Sequence, residues 1–319
     1  MPDARGYAIV ATLGPASWNL ADALQNAGAT AFRLNASHMT AAELAHRAAA
    51  LRGELPDCRV IVDLQGAKMR LGAFAERPVL AGEPVRFAPD AVEGAVPIPH
   101  KELFASVTAG ETLSCDDDRL QFRIVTAGPD AIEATALVSG TLQPHSGANL
   151  AEHPVALSDI SELDLDRIRA AACHERVAFA FSFMKDGSEA KWVRRRAPRC
   201  PVLGKIERRE AVENISLLAR AVDAVWICRG DLGAQLGPAA MARWVSAFNP
   251  KTLPCPVLMA GQVLEHLTAA GEPTRSEVCH LYDLTSRGYA GFVLSDETAI
   301  GADPVRAVAT LHSLLAAFH

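Results

Sequence analysis

Short apolar runs alternate with longer amphipathic segments in two parts of the chain. Helical periodicity begins near Trp18 and again near Thr40, between the first three of these runs. The runs read, in order, "YAIVATLG", "AFRLNAS", "VIVDL", "VAFAFSF", "VLGKIE", "AVWICRG", "PVLMAG" and "GFVLSD". Because runs of this length suit strands and the segments between them suit helices, the pattern predicts eight β-α units.

A different pattern separates the third run from the fourth. Between Gly72 and Ala156 the runs are short, alternate in polarity and are broken by Gly, Pro and Asp, as in "PVRFA", "LQFRIV" and "AIEATALV". Such alternation is typical of half-buried strands. We therefore predict a small inserted β-barrel domain at 73–153, acting as a lid, and one main domain formed by 1–72 and 154–319.

Eight β-α units with apolar strands are typical of a (β/α)8 TIM barrel, an α/β fold whose reactive residues lie at the carboxyl ends of the strands. The residues at or just after the predicted strand ends include Thr12, Arg33, Asn35, Ser37, Asp63, Ser182, Lys205, Glu207, Arg229, Asp231, Gln262, Ser295 and Glu297. A doubly wound open sheet would alternate in the same way, but no G-x-G-x-x-G or Walker-type loop follows any run. The favoured fold is a TIM barrel with a β-barrel domain inserted after the third strand.

Composition narrows the class of partner. The chain has 319 residues, half of them hydrophobic, and a formal net charge of −6 with both signs mixed along it. No basic arm or stripe favours nucleic acid or a membrane surface, so we expect a small-molecule substrate. The seven scattered cysteines form no C-x-x-C pair, and no signal peptide or membrane span is evident, which together predict a cytoplasmic protein with reduced thiols.

The fifth and sixth strands end in carboxylates. Glu207 and Asp231 would converge on one divalent cation in a barrel, leaving positions for water and substrate oxygens, as Mg²⁺ and Mn²⁺ accept. Two acids that cap solvent-facing loops would give the same sequence. Lys205 lies on the same face as Glu207, and because an unpaired ammonium facing a barrel interior is costly, its presence favours a bound anion nearby.

A second polar group follows the second and third strands. Arg33 suits a phosphate because its planar fork bonds two oxygens, although a structural salt bridge explains an arginine equally well. Asn35, Ser37 and Asp63 offer hard oxygens to a monovalent cation, and Lys68 is an alternative source of positive charge at the same place.

Seven segments together resemble the pyruvate kinase family, in the same order along the chain. They read "ATLGPASW", "RLNASH", "DLQGAKMRLG", "GKIERREAVENI", "CRGDLG", "PTRSEV" and "LSDETAIGADPVRAV". The resemblance extends from about Tyr7 to the end of the sequence and includes the insertion, where "DDDRLQF" and "SGANL" resemble that family's small β-barrel domain. The family's usual C-terminal regulatory domain has no counterpart after "LLAAFH", so we expect regulation of that kind to be absent.

The resemblance implies roles for individual residues. Glu207 and Asp231 would hold Mg²⁺ or Mn²⁺, Lys205 would stabilise the transferring phosphoryl group, and Gly230 and Asp231 would donate backbone N–H groups to the phosphoenolpyruvate carboxylate. Arg33 is expected to contact phosphate. The positions that match family contacts to nucleotide or phosphate are Thr12, Pro15, His38 and Arg70. Lys68 matches family members that need no K⁺, so K⁺ is not expected to be required.

The sequence departs from the family pattern near the acceptor. Gly261 replaces a threonine that, by the resemblance, holds the substrate carboxylate and helps proton transfer. Gly261→Thr is expected to raise ADP-dependent turnover if ADP is the acceptor and to lower the native activity if another acceptor uses that space. It is expected to be nearly neutral if Asp296 supplies the proton path. In "SDETA" Asp296 is an added carboxylate after the catalytic candidate Ser295, and Asp296 is also a candidate source of the missing proton path from the eighth strand. Ser146, or His145, stands where the family usually has a lysine for nucleotide phosphates.

The resemblance implies a glycolytic, pyruvate kinase-like phosphotransferase that acts on phosphoenolpyruvate or pyruvate, with ADP as acceptor. A metal-dependent lyase or transferase that uses phosphoenolpyruvate or a pyruvate enolate with another acceptor would explain the departures. A phosphoenolpyruvate-binding protein without turnover is a third hypothesis. A homodimer formed through the barrel helices is compatible with each of them.

Overall fold

The computed structural model describes residues 6–116, 119–150, 153, 155, 157 and 160–318, apart from the side chain of residue 38. The chain divides into two compact units, Met1–Gly66 with Asp159–His319, and Ala67–Ser158. The predicted insertion at 73–153 falls within the second unit. None of the helices in the described ranges is long and apolar enough to cross a membrane.

The first unit opens with three strands and the helices between them. In chain order these are β1 (Ala8–Leu13), α1 (Ala21–Asn26), β2 (Ala31–Asn35), a 3-10 helix at Ala36–His38, α2 (Ala41–Glu54) and β3 (Val60–Leu64). Helix α2 begins where the sequence predicts it, because Thr40 and Glu43 form a reciprocal capping box. Helix α1 begins three residues later than predicted, because the backbone N–H groups of Ser17 and Trp18 both donate to Gly14 O and form a turn first.

The second unit is built mainly from strands. Its elements are β4 (Arg77–Val79), β5 (Pro84–Ala88), β6 (Ala95–Pro97), α3 (Lys101–Ser106), β7 (Thr112–Cys115), β8 (Leu120–Ala127), β9 (Ile132–Ala136), β10 (Gly140–Leu142) and β11 (Ala148–Leu150). They form a six-stranded sheet in the order β11-β7-β8-β9-β5-β6 and a two-stranded sheet of β10 and β4. Leu120, Phe122 and Ile124 of β8 are buried, and Phe87 packs edge-on against Phe122 with ring centroids 5.2 Å apart. Closure of these strands into a barrel stays a prediction.

The chain then completes the first unit. The elements are α4 (Glu162–Ala171), β12 (Val177–Phe181), α5 (Ala190–Arg196), β13 (Val202–Ile206), α6 (Arg209–Glu213), α7 (Ile215–Ala221), β14 (Ala224–Cys228), α8 (Arg229–Leu236), α9 (Pro238–Ala247), β15 (Val257–Ala260), α10 (Arg275–Arg287), β16 (Gly291–Leu294), α11 (Asp296–Ala299) and α12 (Pro304–Ala317), with 3-10 helices at Pro250–Thr252 and Glu265–Thr268. The strands β13, β14 and β16 are each followed by two α-helices, so the expectation of one helix per strand is wrong in detail. Between α6 and α7, for example, the Asn214 side chain donates to Glu210 O at the break.

The eight parallel strands of the first unit close into a barrel in the order β1-β16-β15-β14-β13-β12-β3-β2, which confirms the predicted TIM barrel. All five residues of β3, β13 and β14 are buried, as strands covered on both faces require. The register pairs Thr12 with Arg33 and Asn35 with Asp63 on adjacent strands. Polar side chains from several strands therefore reach the same level at the carboxyl end of the barrel.

Candidate active site

Lys205 is the centre of the polar cluster at this end of the barrel. Its Nζ lies 3.0 Å from Asp63 Oδ2, 2.9 Å from Glu207 Oε1 and 2.9 Å from Ser182 Oγ. These three partners come from the ends of β3, β13 and β12, which are neighbours in the barrel. The ammonium thus has three oxygen partners, which offset the cost of burying its charge.

Arg33 approaches the same carboxylate from β2. Its Nε and Nη2 lie 2.8 and 2.6 Å from Asp63 Oδ2, and its Nη1 donates to Thr12 Oγ1 over 3.1 Å. The structural salt bridge considered for Arg33 is therefore present. Because Asp63 holds both Arg33 and Lys205, two cations face one cavity with fixed positions.

Burial and charge act in opposite directions on these groups. Burial alone would raise the pKa of Asp63, but the charges of Lys205 and Arg33 lower it below its usual value. Burial alone would lower the pKa of Lys205, but Asp63 and Glu207 raise it above its usual value. The carboxylate of Asp63 and the ammonium of Lys205 are therefore both charged at neutral pH.

For Glu207, burial outweighs the attraction of Lys205, and the result bears on metal binding. Burial raises its pKa, Lys205 opposes the shift and the nearby charge of Asp231 adds to it. Its other oxygen, Oε2, accepts a 2.8 Å hydrogen bond from the backbone N–H of Phe183. A divalent cation between Glu207 and Asp231 would relieve their repulsion and meet hard oxygen donors, so the two residues fit Mg²⁺ or Mn²⁺.

The protein supplies only part of such a coordination shell. Among the described residues, no cluster of three or more His, Cys, Asp or Glu side chains has the arrangement of a metal site. Two carboxylates leave most of an octahedral shell for water and substrate oxygens, which is how Mg²⁺ is commonly held at phosphate-transfer sites.

These side chains surround a cavity of about 160 Å³. It is lined by Arg33, Asp63, Lys205, Glu207, Trp226, Cys228, Gly230, Asp231, Ala260, Gly261, Val293 and Ser295. Helix α8 begins at its wall, and the first N–H groups of a helix have no partner within the helix. Nothing lies within 4 Å of where a Cβ on Gly230 would stand. The wall there can therefore donate backbone hydrogen bonds to an anion.

A turn after β15 forms the adjacent wall, where a Cβ on Gly261 would stand 3.5 Å from Gly230 N. Gly261 and Gln262 have φ values of +80° and +53°. Arg229 holds this turn, since its guanidinium donates to Gly261 O over 2.9 and 2.6 Å and to Gln262 O over 2.6 Å. A side chain at position 261 would be strained by its backbone, which opposes the gain expected from Gly261→Thr.

A family model described as "Pyruvate kinase, barrel domain" matches residues 4–308. The chain belongs to the pyruvate kinase family. A pyruvate kinase from Mycobacterium tuberculosis (strain ATCC 25618 / H37Rv) is 30% identical over 330 residues, covering 97% of this chain and 69% of that protein. One from Mycobacterium intracellulare is 31% identical over the same length and coverage.

A solved structure gives the same result. The crystal structure of pyruvate kinase from Pyrobaculum aerophilum superposes with a TM-score of 0.85 and 28% identity, covering 98% of this chain and 74% of that chain. Together the family and the fold identify an enzyme, a pyruvate kinase-like phosphotransferase.

The structure brings some of the other predicted residues to the cavity and leaves others away from it. Ser295 lines the wall, whereas Asp296 is exposed and lies outside the lining, so the geometry does not support a proton path through Asp296. Pro15 is exposed in a turn. Asn35 Oδ1 accepts from the backbone N–H of Ser37 over 3.3 Å and so caps the 3-10 helix after β2.

Three further residues were predicted to contact nucleotide or substrate or to replace a cation: His38, Lys68 and Arg70. The side chain of His38 is outside the described residues. Lys68 and Arg70 belong to the second unit, where Lys68 is buried and Arg70 Nη1 donates to His145 O over 2.8 Å. Their predicted roles as a cation substitute and a substrate contact stay predictions.

Ser182 and Glu297 also build the site, although no role was predicted for either residue. Ser182 stands at a predicted strand end but was not expected to bind Lys205. Glu297 is fully buried, where its Oε1 accepts from the N–H groups of Val263 and Leu264, and its Oε2 from Ser295 N. The sequence indicates Glu297 only as an acid that follows an apolar run. It does not show that the carboxylate binds the loop after β15.

Proposed function

We propose that this protein transfers a phosphoryl group between phosphoenolpyruvate and ADP. The observation that carries the proposal is the fixed pair of cations, Lys205 and Arg33, beside two carboxylates in one small cavity. Phosphoryl transfer needs positioning and charge neutralisation more than covalent chemistry from the protein. The arrangement supplies both.

Each part of the substrate has a matching group on the protein. The N–H groups at the start of α8, at Gly230 and Asp231, would bind the carboxylate of phosphoenolpyruvate. Lys205 and Arg33 would neutralise oxygens of the transferring phosphoryl group, with Thr12 holding the guanidinium in place. Glu207 and Asp231 would hold Mg²⁺ or Mn²⁺, which when bound neutralises phosphate oxygens and aligns the two reactants.

The remaining family assignments belong to the same proposal. We place nucleotide near Thr12, Pro15 and His38, with Arg70 as a further substrate contact. Lys68 would replace a monovalent cation at Asn35, Ser37 and Asp63, so activity would not require K⁺. Rates in Tris buffer with and without added K⁺ check this, and a large increase with K⁺ would count against it.

The lid role of the insertion and a cytoplasmic location remain predictions.

A second function is favoured by one specific observation. The wall at position 261 is a backbone turn without a side chain, so it offers no hydroxyl to orient the carboxylate or to relay a proton to the enolate. An enzyme that passes a pyruvate enolate to an acceptor other than ADP would have no need of that hydroxyl. Its acceptor would bind in the space beside Gly261.

³¹P NMR of the purified protein with phosphoenolpyruvate and Mg²⁺, with and without ADP, separates the two. Phosphorus signal moving from phosphoenolpyruvate to ATP only when ADP is present supports transfer to ADP. Consumption of phosphoenolpyruvate that requires a different added acceptor supports the second function. A protein that binds phosphoenolpyruvate but never consumes it would contradict both.

A further inference from the structure

The amino end of the barrel is packed differently from its carboxyl end. Interior layers of TIM barrels are usually filled by bulky branched side chains from alternate strands. Here the interior positions nearest the amino ends of β2, β12 and β14 are Ala31, Ala178 and Ala224. Three methyl groups cannot fill the width that bulky side chains fill.

The space left by these small residues is a cavity of about 320 Å³. Its wall is largely apolar and is formed by Ala8, Val10, Thr30, Ala31, Arg59, Ile61, Arg176, Val177, Ala178, Pro201, Leu203, Asp223, Ala224, Trp226 and Leu258. Trp226 also lines the active-site cavity, so its ring separates the two spaces. The amino-end cavity is therefore a distinct site on the opposite side of the barrel core.

The charged residues in the described lining are Arg59, Arg176 and Asp223, at the mouth of this cavity. Arg59 and Arg176 are both exposed there, and Arg176 pairs with Asp57, which is 85% exposed, over 2.9 Å. The acid in the lining, Asp223, is held by Arg194 at 3.0 Å and by the backbone N–H of Val202 at 2.8 Å. The three arginines outnumber the two acids, Asp57 and Asp223, so the mouth favours an anion over a cation.

A wider groove of about 720 Å³ adjoins the mouth and shares Thr30, Arg59 and Arg176 with it. A ligand can therefore reach the cavity from solvent with its polar end still hydrated. An apolar body can enter the space between the alanines without displacing any charged side chain.

We propose that this cavity binds a small amphipathic carboxylate, independently of the phosphotransferase site. The apolar body would fill the space beside Ala31, Ala224 and Trp226, and the carboxylate would lie at Arg59 and Arg176. A space of 320 Å³ equals the volume of about ten liquid water molecules, and ligand pockets begin near this size. It suits a body of about ten non-hydrogen atoms, such as an eight-carbon fatty acid.

Calorimetric titration of octanoate into the full chain tests this. For a ligand of this size we expect saturable one-site binding with a Kd of about 0.1–1 mM. Butanoate, which leaves most of the cavity empty, should bind at least about tenfold more weakly. Saturating phosphoenolpyruvate and Mg²⁺ should leave octanoate binding in place, because the active site lies beyond Trp226.

Variants locate the ligand. Ala224→Leu fills the cavity and should weaken octanoate binding at least about tenfold, with Ala31→Leu as a second filling variant if the first does not fold. Arg176→Gln should weaken it about three- to tenfold by removing a charge-assisted contact, whereas the matched control Arg169→Gln, an exposed arginine on α4, should not. Circular dichroism melts confirm folding of each variant.

The proposal is overturned if octanoate shows no saturable binding, or if it binds equally well to the folded filling variants. It is also overturned if phosphoenolpyruvate displaces it completely, since that would place it in the active-site cavity. If Arg176→Gln and wild type bound octanoate with equal affinity, Arg176 would not contact the carboxylate. The proposal of a carboxylate ligand would then be wrong.

Discussion

Lys205 Nζ and Asp63 Oδ2 lie 3.0 Å apart, although the two residues are 142 positions apart in the chain and on strands that do not pair directly. Both are buried, and Asp63 also binds Arg33. Breaking one member of a buried ion pair leaves the partner's charge uncompensated. Asp63 thus fixes both cations of the cavity, and we regard it as a positioning residue.

Asp63→Asn should lower both stability and activity. Loss of the carboxylate leaves Lys205 and Arg33 facing each other, and we expect the free energy of unfolding to fall by about 3–5 kcal/mol. Misplaced cations should lower kcat/KM by about 10²-fold. Urea unfolding and steady-state kinetics measure the two effects. The control Asp166→Asn changes an exposed acid that pairs with Arg169 on α4, and it should alter neither stability nor kcat/KM. If Asp63→Asn had the stability and kcat/KM of wild type, the positioning role would be refuted.

The contribution of Asp63 to stability should depend on pH. Its folded pKa lies below its usual value, so the unfolded chain takes up the proton first as pH falls. The contribution is therefore full above the unfolded pKa of about 3.9 and is lost as pH falls from there through the folded pKa. The stability difference between wild type and Asp63→Asn, measured by urea titration at several pH values, should be constant above about pH 5 and shrink below about pH 4. A difference that grows toward low pH would contradict the assigned sign.

Substitution of Gly261 should be costly even though there is room for a side chain. A Cβ there would lie 3.5 Å from Gly230 N, an ordinary contact, but a φ of +80° disfavours any L side chain. We expect Gly261→Ala to lower the free energy of unfolding by about 1–2 kcal/mol, and Gly261→Thr by more, without a gain in turnover. The control Gly53→Ala lies in α2 with nothing within 4 Å and should be neutral or stabilising by up to about 1 kcal/mol. Higher ADP-dependent turnover of Gly261→Thr would show that the missing hydroxyl outweighs the strain.

Asp231→Ala should abolish the divalent cation site. Glu207 alone offers one carboxylate, and that carboxylate already binds Lys205 at 2.9 Å. Titration calorimetry of Mn²⁺ should show one site in wild type and in the control Asp166→Ala, and weakening by at least about tenfold in Asp231→Ala. Unchanged Mn²⁺ affinity would place the metal elsewhere.

The sequence predicts the barrel and the residues at its carboxyl end because both depend on local patterns. Apolar runs define the strands, and each polar strand end is visible by itself. The contacts of Lys205 are not visible, since they depend on the register of β3, β12 and β13 and on side-chain directions. The positive φ of Gly261 is not visible in the sequence either, because Arg229 from another strand holds this backbone conformation. The expected gain from Gly261→Thr therefore did not take the backbone strain into account.

The amino-end cavity could not be predicted from the sequence either. Ala31, Ala178 and Ala224 are unremarkable within their own apolar runs, and each fits a buried strand. The strand register brings them together in the barrel interior, where their small size leaves a cavity. A pattern of residue sizes across strands is therefore informative only after the fold is known.

In the proposed mechanism, Lys205 is the group that stabilises the transferring phosphoryl group. The most direct test is the rate of ATP formation from phosphoenolpyruvate and ADP in Lys205→Met, compared with Lys191→Met, an exposed lysine of α5. With folding verified by circular dichroism, Lys205→Met should be slower by about 10³-fold, because it removes a fixed charge from a desolvated site, and Lys191→Met should match wild type. Equal rates for the two variants would contradict the proposed mechanism.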